Sequence, residues 1–297
     1  MNGHETVLSI LRDHGRDNSS IAKWGSAAEN IAMSNFTSIS SHYRQTATLQ
    51  KSAGERLFEM LNIGREDAVL DLGCGPGHLT QAIRAMTWSR VAGIDPAPGM
   101  IAEAQRNYPS GIAFHTGDAE TLNAVGEFDV IFCNSAFQWF RDPARAASNC
   151  FGALHPGGRM AIQAPAKSDF SPNFVRATGS LRGDARTREA FANFRSPWFF
   201  LETAEDYAAI FRNTGFTVVS SSLEQMTQRC SPEKVMEMFE SGAAAGYLNP
   251  DCYNAALPPG YIETARELIA RDFRAQAQAD GQVELVFYRI YLLARKA

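Results

Sequence analysis

The sequence predicts an α/β fold, a mainly parallel β-sheet sandwiched by helices. Three observations carry that expectation. From about residue 67, short apolar or β-branched runs alternate with helical stretches. The runs are apolar throughout rather than at every second position, as strands buried on both faces are. The intervening segments are long enough for crossovers that return each strand parallel to the last.

Taken in order, residues 1 to about 60 are polar and helix-compatible. In "SHYRQTATLQKSAGERLFEML", Leu49, Ala53, Leu57, Met60 and Leu61 recur at spacings of three and four, so an amphipathic helix feeds the core. The alternation follows as "AVLDL", "TQAIRAM", "RVAGID", "GMIAEAQRN", "IAFHTG", "FDVIFCNS", "PARAASNCFGAL" and "GRMAIQAP". After Pro165 the rhythm breaks, and "KSDFSPNFVRATGSLRGDARTREAFANFRSPWFF" is long and aromatic-rich, which predicts a cap rather than a connection. The pattern returns with a helix in "ETAEDYAAIFRNTG", stopped at Gly215, and a strand in "FTVVSSSLEQ". A helical insertion over about 231–279 ends at the turn "ADGQ", before a final strand "VELVFYRIYLLARK".

Composition narrows the partners. A 45% hydrophobic content supports a sizeable core, and a net charge of -4 without a Lys/Arg-rich block argues against nucleic acid and for a small-molecule partner. Five dispersed cysteines, Cys74, Cys133, Cys150, Cys230 and Cys252, show no C-x-x-C spacing, so neither a disulfide framework nor a metal site is expected and a cytoplasmic setting fits best. No stretch approaches the ~18 apolar residues of a membrane span, and no export or anchoring segment is visible.

"VLDLGCGPGHLT", residues 69–80, carries the functional signal. A glycine turn after the first strand of a parallel sheet brings a ligand against the backbone and the next helix. No Lys-Ser/Thr pair completes a triphosphate loop, and the third place of a dinucleotide fingerprint holds bulky His78. Asp71, just before Gly73, would repel a pyrophosphate and attract a ligand bearing ammonium and sulfonium groups. The loop with Gly73, Gly75 and Gly77 therefore favours a cationic, phosphate-free nucleoside.

"VLDLGCGPG" resembles the first motif of class I S-adenosylmethionine-dependent methyltransferases, and further stations match in order: "VAGIDPAPGM", "TGDAE", "FDVIFCNSAFQW" and "ALHPGGRMAIQ". The resemblance implies a Rossmann-like sheet of seven strands with the last antiparallel, and S-adenosyl-L-methionine as cofactor. It implies that Asp95 accepts hydrogen bonds from the ribose hydroxyls and that Met100 touches adenine. Asp118 would accept from the adenine amino group while the Ala119 N–H reaches the ring. Asn134 would lie near the methionine end, with Tyr43 closing over it. Asp118 and Met100 also suit an ordinary turn and core packing. The resemblance covers about 42–165 and, more loosely, 200–297; together with the pattern read above, the expected organisation is an N-terminal helical lid (1–60), a cofactor-binding core (61–166), a cap insertion (167–202), and the end of the sheet with its helical insertion of about 231–279 (203–297).

"CNSAFQWF", "MAIQAP" and the final strand are similar to trans-aconitate methyltransferases, and "YRQTATLQKSAGERLFEML" to malonyl-carrier-protein methyltransferases. Both groups make carboxyl esters, so the resemblance implies carboxyl O-methylation. A carboxylate is ionised at neutral pH and needs no general base, only neutral donors that hold it without quenching its attack. Related carboxyl methyltransferases use an indole N–H and a glutamine amide, which match Trp139 and Gln50, with Gln138 as a substitute. Aromatics such as Phe194, Trp198, Phe239 and Tyr247 suit an apolar or aromatic acid, whereas a polyacid needs arginine clamps, for which the cap offers Arg176, Arg182, Arg186, Arg188 and Arg195. O-, N- or C-methylation of another metabolite remains an alternative, with His42 as a candidate base. Non-catalytic S-adenosylmethionine binding and a dinucleotide-dependent oxidoreductase are the other classes in play.

Overall fold

The structure, a computed structural model, describes residues 48–297, with side chains described from Gly54 onward. Tyr43, His42 and the Gln50 side chain lie outside the described residues, as does most of the expected lid. In chain order the helices are α1 (Thr48–Leu61), α2 (His78–Met86), α3 (Pro98–Asn107), α4 (Pro143–Ala153), α5 (Pro172–Gly179), α6 (Arg188–Phe191), α7 (Ala204–Asn213), α8 (Pro232–Glu240), α9 (Ala244–Tyr247) and α10 (Tyr261–Ala275). The strands are β1 (Val69–Leu72), β2 (Val91–Asp95), β3 (Ala113–Thr116), β4 (Phe128–Asn134), β5 (Leu154–Pro165), β6 (Thr217–Cys230) and β7 (Val283–Arg295).

These strands form one seven-stranded sheet in the order β3-β2-β1-β4-β5-β7-β6. The β1 to β5 pairs are parallel, and β7 runs antiparallel to both β5 and β6. The chain moves outward from β1 to β3 and then returns to the other side of β1 as β4. That reversal opens a crevice beyond the C-terminal ends of β1 and β4, where open α/β sheets take their ligands.

The apolar runs are buried as their composition predicts. Every residue of β1 is buried, with Leu70 and Leu72 on one face and Val69 and Asp71 on the other. The first face joins Ile131, Ile162 and Leu292 to Tyr207 and Phe211 of α7. The second joins Val130, Phe132 and Leu293 to Leu57 and Leu61 of α1, and Phe58 stacks on Phe132 at 5.0 Å between ring centroids. The spacing in α1 thus places its apolar stripe on the sheet, each buried Leu contributing about 1.5–3 kcal/mol. Helix starts are capped locally: Asp142, Thr203 and Ser231 accept from the N–H groups of Arg145, Asp206 and Lys234, at 3.0, 3.1 and 3.3 Å, about 1 kcal/mol each.

The segments after β5 and β6 fold together. Helices α5, α8 and α10 enclose Phe174, Phe239 and Phe273, and this cluster sits on Val283, Leu285 and Phe287 at the start of β7. Two boundaries differ from the sequence reading. "LHPGG" begins β5 instead of preceding it, accommodated by a register shift opposite Phe128 and by Gly157 at φ 80°. β6 continues through polar "MTQRC" to Cys230 because β7 supplies a partner for each of these residues, and an edge strand tolerates a polar outer face.

Candidate functional site

The glycine turn is built by backbone geometry. Gly73, Gly75 and Gly77 have φ of 78°, 53° and 87°, the left-handed region that L side chains resist. A Cβ on Gly73 would lie 2.3 Å from the Ala136 Cβ, and one on Gly77 would lie 2.8 Å from the Phe114 ring. The corresponding space at Gly75 is open to 4 Å. The loop is packed at its two ends and exposes its middle.

Two acids frame it. Asp95 accepts from Gly75 N–H at 3.0 Å and from Ala97 N–H at 2.9 Å, so one carboxylate ties the turn to the start of α3. Asp71 accepts from the Thr80 hydroxyl at 2.6 Å. Burial pushes the Asp95 carboxyl up to about 6 against the pull of its two amide bonds. Burial likewise pushes Asp71 up to about 7, the Thr80 bond opposing and the Asp95 charge adding to the shift. Neither acid has an ion-pair partner among the described residues. Cys74, between them, is driven well above the ordinary thiol range by burial and then by both acids, so its thiol stays protonated. A buried acid pair facing an open glycine suits a cation that lets both groups ionise, and a sulfonium- and ammonium-bearing nucleoside fits that demand.

The remaining predicted cofactor residues ring the same strand ends. Met100 is buried in α3, packed into the helix start that Asp95 fixes. Asp118 follows β3 and accepts from both the N–H and the hydroxyl of Thr121, at 2.8 and 2.7 Å, a turn-capping role, and Ala119 beside it is buried. Asn134 ends β4 and is buried on the same face as Asp71.

Beyond Asn134 the chain turns through Ser135, a non-glycine residue at φ 56°. Its N–H donates to the Gln163 carbonyl at 2.7 Å and its hydroxyl to Gln163 Oε1 at 3.0 Å, the constraints that hold a β-carbon in this disfavoured region. Gln138 is buried, and its side-chain amide donates to the Ser135 carbonyl at 2.8 Å, so that nitrogen is already committed in part to the loop. Trp139 is half-buried and meets Trp198 of the cap edge-on at 5.7 Å. Phe199 N–H donates to the Gln138 carbonyl at 2.8 Å, fastening the end of the 167–202 segment, the expected cap, to the β4 loop.

The five cap arginines named from sequence are all exposed. Arg176 pairs with Asp272, Arg186 with Asp184 and Glu267, and Arg182 lies over Phe191. The cap aromatics Phe174, Phe194, Phe239 and Tyr247 pack chiefly on one another. Sequence reasoning passed over Gln163 and Arg289, both buried on the face that also carries Asp71 and Asn134. A signal existed: each is a polar residue inside an apolar strand run, "MAIQAP" and "VFYRIYLL". Among the described residues, no cluster of His, Cys, Asp or Glu is placed to hold a metal ion, and all five cysteines are unpaired and buried.

Comparison with known proteins agrees with this geometry. A family described as "Methyltransferase domain" matches residues 70–162. The trans-aconitate 2-methyltransferase of Methylobacterium radiotolerans is 39% identical over 241 residues, covering 77% of this chain and 86% of the relative. The malonyl-[acyl-carrier protein] O-methyltransferase of Calditerrivibrio nitroreducens is 33% identical over 130 residues, 42% of this chain and 51% of the relative. Among solved structures, the YcgJ protein of Bacillus subtilis shares the fold at TM-score 0.56 and 18% identity, covering 83% of this chain and 98% of that one. A putative methyltransferase of Bacillus halodurans does so at TM-score 0.54 and 17% identity, covering 82% and 99%. The glycine turn, the reversal of strand order beside it and this kinship together make the chain a member of the class I S-adenosylmethionine-dependent methyltransferases, an enzyme with S-adenosylmethionine as its cofactor.

Proposed function

We propose that the enzyme methylates a carboxylate of a small organic acid, giving a methyl ester. When bound, the cofactor supplies a methyl group on a positively charged sulfur, already activated for in-line displacement. The chain's task is then to position and desolvate. In this reading Asp95 holds the ribose, Asp71 faces the positive tail, and Gly75 lets the backbone approach the ligand between the packed ends at Gly73 and Gly77. Met100, Asp118 and Ala119 line the adenine end, and Asn134 lies at the methionine end. Tyr43 and Gln50 are assigned by sequence alone. Residues 167–202 and 231–279 form the cover over the acceptor side.

The observation that carries the ester reading is the chemistry at the end of β4 and β5. The side chains that follow β4, with Gln163 of β5 beside them, are neutral: Asn134, Ser135, Gln138, Trp139 and Gln163. Among the described residues, the histidines lie elsewhere: His78 starts α2, His115 sits in β3 and His155 lies at the opposite end of β5. A phenol or an amine would call for help in losing its proton, whereas a carboxylate arrives without one. The indole N–H of Trp139 is the proposed donor to the accepting carboxylate, supported by Gln138. The relatives named for trans-aconitate and malonyl-carrier-protein methylation act on carboxyl groups, which supports the same class.

The test is mass spectrometry of an organic-acid library incubated with the enzyme and methyl-labelled cofactor, followed by mild alkaline hydrolysis. The expected product gains one labelled methyl and loses it in base. A base-stable methylated product points instead to ether, amine or carbon methylation and overturns the ester reading.

A further inference from the structure

We propose that Arg289, with Gln163 beside it, forms an anion subsite for a second, non-reacting carboxylate of the methyl acceptor, so that the enzyme selects diacids. The inference rests on the acceptor side proposed above and adds a specificity residue to it. Arg289 lies in β7 and is 4% exposed, the one buried arginine among the described residues. Among the described residues its Nε and Nη1 have no hydrogen-bond partner. The acid opposite it in the ladder is Glu224 of β6, but that carboxylate is taken by Arg56 at 3.4 Å and by the Ser222 hydroxyl at 3.1 Å. A guanidinium withdrawn from water without a counter-charge is strongly unfavourable, and buried cations are as a rule paired. A bound anion completes the arrangement.

Register places this cation at the acceptor side. Asn134 of β4 pairs with Gln163 of β5, which pairs with Tyr291 of β7. Arg289 pairs with Pro165, two residues or roughly 7 Å further toward the C-terminal end of β5. All five positions share the sheet face opposite the α7 cluster. Gln163 is fully buried and its Nε2 also has no partner among the described residues, while its Oε1 is held by Ser135. The guanidinium carbon lies 5.5 Å from the Phe287 ring centroid, which ties it to the cap cluster. One donor set thus bridges the end of β4 and the floor of the cap.

Charge decides which carboxylate it holds. A guanidinium on the reacting oxygen would bind up the lone pairs that must attack the methyl group. The neutral donors near Trp139 suit the reacting carboxylate, and Arg289 suits one that only needs anchoring.

The test titrates the full chain, saturated with S-adenosylhomocysteine, with straight-chain diacids of four to eight carbons, with trans-aconitate, and with the monoacids of matching length. Diacids are expected to bind at least 10-fold more tightly than matched monoacids. Arg289→Met should remove that preference, on the order of 10- to 100-fold, with monoacid and S-adenosylhomocysteine affinities unchanged, and Arg289→Lys should retain part of it. Equal affinity of the wild type for diacids and monoacids, binding of no diacid, or a preference that survives Arg289→Met would each overturn the subsite. Should Arg289→Met fail to fold, Gln163→Leu and Arg289→Lys carry the test, and each must reduce the diacid preference. A preference that tracks Arg289 while no acid gains a base-labile methyl sustains the subsite and rejects the ester reading alone.

Discussion

The proposed cofactor edge and the proposed acceptor side of this enzyme are assembled in opposite ways. The cofactor edge is local: Asp71, the three glycines and Thr80 fall within ten consecutive residues, and Asp95 joins them from the adjacent strand. The acceptor side is dispersed. Trp139, Gln163, Trp198 and Arg289 come from four separate stretches, related only through the adjacency of β4, β5 and β7 and the Trp139–Trp198 contact. One is held by backbone conformation and the other by aromatic packing, so they should fail under different insults.

The largest separation is expected from the cap. Phe174→Ala removes a buried ring that contacts Phe170, Phe239, Phe273 and Phe287, and a loss of about 3–5 kcal/mol in urea unfolding is expected. Acid binding should weaken well before S-adenosylhomocysteine binding does; equal loss of both would break the contrast. Gly73→Ala is the counterpart. The left-handed conformation and the clash with Ala136 should together cost roughly 2–4 kcal/mol, with cofactor affinity lost first by calorimetry.

Asp95→Asn tests the frame with little change in shape. One oxygen that now accepts from an amide becomes an NH2 facing that amide, so cofactor affinity should fall on the order of 10- to 100-fold. Thr80→Val removes one bond to Asp71 and should cost about 1 kcal/mol in stability, raising the pH at which Asp71 ionises.

A pH dependence with a defined sign tests the same acids without any substitution. Asp95 and Asp71 have carboxyls raised to about 6 and about 7, above the ordinary 3.8. The folded state therefore holds protons that the unfolded chain has released, and ligand-free stability should decline as pH rises from about 4 to 7. A cationic cofactor favours the ionised acids, so its binding should release protons and tighten between pH 5.5 and 8. A flat affinity profile across that range would remove the charge argument for Asp71.

The same contrast explains what was legible in the sequence. Alternating apolar runs announced the sheet because burial on both faces leaves no polar phase, and "VLDLGCGPG" announced the turn because only glycines occupy three left-handed positions so close together. The acceptor side left no comparable trace. Arginines in the cap drew notice by number, yet they face water, and the buried one left only the faint signal of a lone cation inside "VFYRIYLL", which does not say what it faces. Long-range register, which brings Pro165 opposite Arg289, is a product of folding and is not written in either segment by itself. The extension of β6 to Cys230 has the same origin: its polar residues become strand because β7 offers a partner.

β7 runs from the floor of the cap at Val283 to the central layers at Leu293 without interruption. This single rod makes the acceptor specificity awkward to transplant. A chimera that exchanges only residues 167–202 would import new aromatics while keeping the host's guanidinium, whereas one cut inside the rod would sever a ladder of paired amides. Redesign of substrate choice has to treat the insertion and the first half of that final strand as one inherited unit.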